Sequence, residues 1–298
     1  MGSYIVLCHK LLCIRPIVPQ RDNMADSRTD TSPLTRQIAE RNVAPGRIVT
    51  WWLGGSGFIF KTSLGTQIWI DPYLSDMART TFGLERAFAP PITPEECRAD
   101  AIIATHWHED HLDPIAIPSI ARHRPAVRFV MPPSAMARAL SWGLPRERII
   151  PLTWGQTINI AEVQITAVPA RHEAGVAGWE VPDAMGVVLQ AEGLKIYNTG
   201  DTEYDVRLRQ LKTLGINVFQ SCINGVSGNM NAHEAALLAW QLQVGTAIPM
   251  HHLLWANNHG ANDETLDPQL FADTYTRLGG KGRVVIPQVG GEIELSSR

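Results

Sequence analysis

The segment from residue 105 to residue 111 constrains this chain more than any other feature, because it concentrates potential metal ligands. Three histidines and one aspartate fall within six residues: His106, His108, Asp110 and His111. The apolar run 101–104 before them predicts a short buried strand. Asp113-Pro114 after them predicts a helix start, since aspartate caps helices and proline fits their first position. Imidazole and carboxylate suit zinc, iron or manganese, so the segment predicts a metal site in a strand-to-helix loop.

The spacing within this loop separates the side chains into two pairs. His106 and His108 alternate in an extended segment and are expected to point the same way, whereas Asp110 and His111 follow the bend and can face a second ion. The alternative is a polar surface loop that is rich in histidine by chance.

Three more potential ligands stand just after predicted strands, where loops can converge on one site. The strands and the side chains that follow them are 163–168 with His172, 194–198 with Asp201, and 247–250 with His251. A single histidine at such a place is usually structural, but three such endings together with the cluster favour one shared metal centre.

The order of the predicted elements indicates an α/β fold. Three strands come first, at 48–53, 57–62 and 66–70, and helices then alternate with strands in both halves. No repeat of fixed period is present. This order predicts two sheets with helices outside them, a four-layer α/β/β/α sandwich.

The N-terminal part differs in composition from the rest. Residues 4–14 are apolar but interrupted by His9 and Lys10, and residues 21–41 are polar. We expect residues 1–40 to form a poorly ordered leader and residues 41–298 to form a single folded domain.

The composition limits the classes of partner. The net charge of -3 gives no reason to expect nucleic acid or an anionic membrane, and no run of about 18 apolar residues predicts a membrane span. The four cysteines are scattered and form no CxxC pair. This usage favours a reducing compartment, and the expected location is the cytoplasm.

With these residues in place, the chain resembles the metallo-β-lactamase superfamily. Its HxHxDH segment, later histidine, Gly-Asp turn and final histidine follow the pattern of that superfamily. The resemblance implies a first metal held by His106, His108 and His172, and a second held by Asp110, His111 and His251. It also implies that Asp201 bridges the two ions and that Asp71 supports the site from below.

The L-ascorbate-6-phosphate lactonase family resembles the chain over about residues 43–295. The similar segments are Val43-Ala44-Pro45-Gly46, Trp51-Trp52-Leu53-Gly54, Trp142-Gly143, Ile248-Pro249-Met250-His251-His252 and Gln288-Val289-Gly290-Gly291. Two features differ from that family: the region 73–98 is shorter, and Ala170-Arg171-His172 resembles the general hydrolases of the superfamily.

These resemblances imply a metal-dependent hydrolase with two divalent ions per chain, zinc first and manganese second. The expected reaction is cleavage of a small ester or lactone, with a phosphorylated sugar-acid lactone among the substrates. The alternatives are a phosphodiesterase or phospholipase of the same fold and, less favoured, a non-catalytic metal-binding protein. The lactonase resemblance also suggests a homo-oligomer.

Four residues have expected roles beyond metal binding. Asp110 is placed to orient the attacking water and move its proton, and His252, beside a proposed ligand, is a second catalytic candidate or a packed histidine. Arg171 and Trp107 are candidates for substrate binding, because each is adjacent to a proposed ligand. Their alternative roles are a surface ion pair for Arg171 and packing for Trp107.

Overall fold

A computed structural model describes residues 31–175, 177–226, 228–256 and 266–297. Two seven-stranded sheets make up most of the described chain. The first runs in the order β14-β1-β2-β3-β4-β5-β6, with these bounds: β1 (Arg47–Gly54), β2 (Gly57–Lys61), β3 (Gln67–Ile70), β4 (Ala101–Ile103), β5 (Arg128–Met131), β6 (Ile149–Pro151) and β14 (Glu292–Ser296).

The second sheet runs in the order β13-β12-β11-β10-β9-β8-β7. Its strands are β7 (Thr157–Ile160), β8 (Val163–Pro169), β9 (Met185–Ala191), β10 (Leu194–Asn198), β11 (Val218–Cys222), β12 (Thr246–Met250) and β13 (Arg283–Val284). The helices are α1 (Pro33–Glu40), α2 (Met77–Phe82), α3 (Ala116–His123), α4 (Pro133–Ser141), α5 (Ala232–Leu242) and α6 (Pro268–Arg277), with 3₁₀ turns at Pro94–Glu96, Arg146–Arg148 and Val206–Leu214.

The first sheet is buried on both faces, and its residues alternate between two cores. In β3, Ile68 and Ile70 pack between the sheets, whereas Trp69 packs in a separate core with residues of α3 and α4. The core between the sheets continues through the second sheet to α5 and α6. These layers confirm the predicted four-layer sandwich.

Within each sheet, the strands that lead into the site loops run in the same direction. β3, β4 and β5 are parallel in the first sheet, and β10, β11 and β12 are parallel in the second. β8 runs in the same direction as β10, because both are antiparallel to β9. The carboxyl ends of these strands therefore lie at one edge of the sandwich, where crevices in α/β folds bind ligands.

The folded part starts earlier than the sequence predicts. Helix α1 begins at the cap Ser32 and buries Leu34 and Ile38, so residues 33–40 do not belong to a disordered leader. The polar composition around this helix hides its two buried apolar positions. Residues 1–30 lie outside the described residues. No helix within the described ranges is both long enough and apolar enough to cross a membrane.

Candidate metal centre

Seven side chains from four separate loops meet at the shared edge of the sheets. We call them the His/Asp cluster: His106, His108, Asp110, His111, His172, Asp201 and His251. His106 through His111 follow β4, His172 follows β8, Asp201 follows β10 and His251 follows β12. The structure thus brings together all seven residues that the sequence singled out as potential ligands.

The donor atoms of the cluster form two separate groups, His106/His108/His172 and Asp110/His111/His251, and a third group, His106/His111/Asp201, links them. The Nδ1 atom of His108 lies 3.0 Å from Nε2 of His172, and Nε2 of His106 belongs to the same group. In the second group, Nε2 of His251 lies 3.4 Å from Oδ2 of Asp110, and Nε2 of His111 lies 3.8 Å from that oxygen.

Asp201 lies between the two groups. Its Oδ2 atom is 3.4 Å from Nε2 of His111, 3.4 Å from Nε2 of His251 and 3.9 Å from Nε2 of His172. Asn229 donates a hydrogen bond of 2.8 Å to the same oxygen and helps to fix it. Asp201 is therefore positioned to contribute to both groups.

The donor set fits divalent metal ions. Two ligands of one tetrahedral zinc, each about 2.0–2.1 Å from it, are roughly 3.3–3.4 Å apart, close to the separations observed here. The Nε2 atoms of His106 and His111 are buried and have no hydrogen-bond partner in the described part of the chain. Such orphaned nitrogens, aimed into a shared space with carboxylates, are the arrangement that a metal ion satisfies.

Backbone and side-chain acceptors set the ring orientation of three histidines. Nδ1 of His172 donates to the Gly228 carbonyl at 2.9 Å, and Nε2 of His108 donates to the Trp179 carbonyl at 3.1 Å. Nδ1 of His111 donates to Oδ2 of Asp71 at 2.8 Å. Each contact places the proton on the outer nitrogen and leaves the inner one free as a ligand.

Asp71 organises the floor of the centre. It is fully buried after β3, and it accepts hydrogen bonds from both the backbone N–H (2.8 Å) and the hydroxyl (2.7 Å) of Thr105. The Thr105 oxygen is in turn 3.1 Å from Nδ1 of His106. One carboxylate thus orients His111 directly and His106 through Thr105. The sequence predicted this supporting role for Asp71.

The pKa shifts of the cluster histidines show how burial and the nearby carboxylates act on them. Burial lowers the pKa of His106 well below its usual value and that of His108 to about 4, so both rings are neutral and free to bind a cation. Burial also opposes protonation of His111, but the carboxylates of Asp201, Asp110 and Asp71 outweigh it and raise the pKa of His111. The negative charge of these carboxylates therefore favours a cation at this place.

Two tight turns allow the loops to approach each other. Gly200 has φ +56°, and a Cβ there would lie 2.8 Å from the Thr105 Cβ. Gly228 has φ +73°, and its Cβ would lie 2.2 Å from the Glu173 nitrogen and 3.0 Å from His172 Nδ1. Two non-glycine residues at the centre, Asp71 and His251, also adopt positive φ angles of 44° and 61°. Strain of this kind is concentrated at functional sites.

A cavity of about 330 Å³ opens onto the cluster. His108, Asp110, His172, Asp201 and His251 line it, whereas His106 and His111 lie deeper. His252 also lines it, with its ring 4.8 Å from the ring of Trp52 and its Nε2 atom without a partner among the described residues. Burial, followed by the neighbouring His251, lowers the pKa of His252 to about 4.

Arg171 and Trp107 are not among the residues that line this cavity. Arg171 is largely exposed, pairs with Glu203 at 2.5 Å and lines a second cavity of about 470 Å³. Trp107 is buried under the guanidinium of Arg138. Substrate binding by Arg171 and Trp107 therefore stays a prediction.

The aromatic residues that do line this cavity are Phe82, Trp179 and Trp255. The sequence analysis did not assign them to the site, although Trp179 and Trp255 follow the ligand-type residues His172 and His251 by seven and four positions. Helix α2, which ends in Phe82, carried no recognised pattern.

The sequence model of one protein family, the β-lactamase superfamily domain, matches residues 66–252 of the chain. A probable L-ascorbate-6-phosphate lactonase, UlaG, from Salmonella paratyphi B is 23% identical over 303 aligned residues, which cover 87% of this chain and 84% of the relative. The metallo hydrolase Igni18 from Ignicoccus hospitalis superposes with a TM-score of 0.62 at 21% identity, covering 84% of this chain and 99% of Igni18. An isothiocyanate hydrolase from Delia radicum gut bacteria superposes with a TM-score of 0.63 at 18% identity, covering 84% of this chain and all (100%) of that one.

Proposed function

Since the chain belongs to the β-lactamase superfamily and is a metal-dependent hydrolase, we propose that its His/Asp cluster holds two divalent ions. We also propose that the protein cleaves a small ester or lactone. The observation that carries this proposal is the convergence of seven ligand-type side chains, from four loops, on one buried space beside a cavity. The similarity to the lactonase relatives adds a phosphorylated sugar-acid lactone to the substrates to be tested.

We assign His106, His108 and His172 to one ion and Asp110, His111 and His251 to the other, with Asp201 shared. Five imidazoles and two carboxylates favour zinc, while the lactonase relatives make manganese the second choice. Divalent ions bound in this way lower the pKa of water and polarise a carbonyl oxygen.

Asp110 is the residue that we assign to proton movement. Its side chain is partly exposed to the cavity, and its Oδ2 atom lies 3.4 Å from Nε2 of His251. Burial opposes its ionisation, but the imidazoles of His111 and His251 outweigh burial and lower the pKa of Asp110 to about 2. Asp110 is thus ionised at neutral pH and able to orient a water molecule, and its place beside the cavity is the reason that we also assign it to carry the proton of that water to the leaving oxygen.

His252 is the second catalytic candidate. It lines the cavity without joining the ligand groups, and its Nε2 atom is free of protein partners within the described ranges. A neutral imidazole at this place can donate a hydrogen bond to the substrate. His252→Gln should therefore lower kcat or raise KM while the metal content stays unchanged, and a variant with unaltered kinetics would leave His252 as a packing residue.

We propose that the reaction takes place in the cytoplasm, and the buried free thiols of Cys97 and Cys222 support a reducing compartment. Assembly into a homo-oligomer remains a prediction from the lactonase resemblance.

Metal analysis of the purified protein, combined with a hydrolysis panel, tests the proposal. The panel contains lactones, simple esters, thioesters and phosphodiesters, each assayed with the zinc- and the manganese-loaded protein. We expect ester or lactone cleavage that depends on the metal. Rapid phosphodiester turnover without lactone cleavage would instead support the phosphodiesterase alternative.

A further inference from the structure

The wall of the cavity beyond the His/Asp cluster is apolar. Phe82, Leu84, Trp179, Leu254 and Trp255 all line it. Phe82 and Trp179 come from distant parts of the chain, yet their rings lie 5.9 Å apart. Both remain exposed, at 42% and 43%, although large aromatic side chains are usually covered. Adjacent exposed aromatics beside a cavity indicate contact with an apolar ligand.

The same wall offers no positive charge. None of the described residues that line the cavity is a lysine or an arginine, and the charged residues there outside the cluster are Glu109 and Glu173.

Two arginines next to the ligand loops make other contacts. Arg138 lies 3.6 Å above the Trp107 ring and pairs with Glu109 at 3.3 Å. Arg171 pairs with Glu203 and faces the other cavity.

Arg86 is buried behind the wall. It donates hydrogen bonds to the carbonyl oxygens of Tyr73 and Phe88, and its guanidinium lies over both of their rings. Its Nη2 atom has no partner among the described residues, so Arg86 is the cation that a direct test must include.

A phosphate group on the non-reacting part of a substrate carries a charge of about -1.5 to -2 near neutral pH and is normally met by arginine or lysine. Here it would face apolar side chains, the glutamates Glu109 and Glu173 and the polar side chains of Asn224, Asn229 and His252, none of which is a lysine or an arginine. We infer that this site takes substrates whose non-reacting part is uncharged and apolar, such as a neutral lactone or ester with an aryl or alkyl group, and disfavours phosphorylated sugar-acid lactones. This inference rests on the proposed hydrolase function.

The test compares two lactones that differ only in the side group: γ-benzyl-γ-butyrolactone and γ-(phosphooxymethyl)-γ-butyrolactone. With the metal-loaded protein, kcat/KM should be at least about 10-fold higher for the benzyl compound, in the range that apolar pockets discriminate. Equal or faster cleavage of the phosphorylated lactone would overturn the inference and leave the hydrolase function intact. If metal-loaded protein cleaved no compound of this pair or of the wider panel, the proposed function would fail together with the inference.

Variants locate the preference in the cavity wall. Phe82→Ala should lower kcat/KM for the benzyl lactone by about 10-fold and leave unsubstituted γ-butyrolactone nearly unchanged. The matched control is Leu64→Ala, since Leu64 is 77% exposed and does not line the cavity. An equal loss for both lactones in Phe82→Ala, or the same loss in Leu64→Ala, would contradict the inference. If the phosphorylated lactone were cleaved well and Arg86→Met removed that activity, Arg86 would be an anion site and the inference would be wrong.

Discussion

Replacing Asp71 with asparagine tests how the protein prepares its metal ligands. Oδ1 of Asp71 accepts the Thr105 N–H, and Oδ2 accepts from both the Thr105 hydroxyl and His111 Nδ1. If the asparagine oxygen still accepts the Thr105 N–H, its NH₂ group faces the Thr105 hydroxyl and His111 Nδ1, which are both donors in the native protein. His111 must then move its proton to Nε2, the nitrogen that faces the cluster, and a protonated nitrogen cannot bind a metal ion.

The expected magnitude follows from the number of ligands affected. His111 is the ligand that Asp71 orients directly, so we expect the affinity for the second ion to fall by about 10- to 100-fold, equivalent to about 1.4–2.7 kcal/mol. Competition with a chromogenic chelator measures this affinity, and kcat measured at saturating metal shows whether activity is recovered.

Asp113→Asn is the matched control. Asp113 is also fully buried, but it accepts hydrogen bonds from the backbone at Leu74, Ser75, Ile115 and Ala116 and from the Ser75 hydroxyl, and it contacts no ligand. The Asp113→Asn substitution should lower the free energy of unfolding by about 1–3 kcal/mol and leave the metal affinity unchanged. If Asp71→Asn bound both ions with unaltered affinity, the assigned role of Asp71 would be refuted.

Three further predictions concern the same centre. His108→Ala should abolish turnover and keep a native circular dichroism spectrum, and retained activity would contradict the ligand role. Removing the metal with a chelator should lower the melting temperature, because an ion at 100 times its Kd stabilises the native state by about 2.7 kcal/mol; an unchanged melting temperature would argue against a buried centre. Gly228→Ala should reduce kcat/KM at least about 10-fold by displacing His172, whereas Gly215→Ala, where a Cβ meets nothing within 4 Å, should cost only stability.

Much of the fold and nearly all of the candidate centre could be predicted from the sequence. The strand of 194–198 and the capping box at Asn231 and Glu234 appear as expected, because their local patterns agree with their tertiary setting. The seven cluster residues were recognisable because ligand-type side chains follow buried apolar runs.

Other features depend on tertiary contacts that no local pattern encodes. Strands β6 and β7 were missed, since they lie at the sheet edges, where burial is incomplete. The segment Val206–Leu214 forms a 3₁₀ helix and not an α-helix, which its local sequence does not distinguish. Trp179 reaches the cavity from an irregular loop, and its contact with Phe82 joins residues almost a hundred positions apart.

The central claim is that seven distant side chains together hold two divalent ions. A crystal structure of the metal-loaded protein, with anomalous scattering recorded at the metal edge, tests it most directly. We predict two anomalous peaks, one beside His106, His108 and His172 and one beside Asp110, His111 and His251, with Asp201 contacting both. Metal-saturated crystals with no peak at these residues, or with peaks held by other side chains, would contradict the claim.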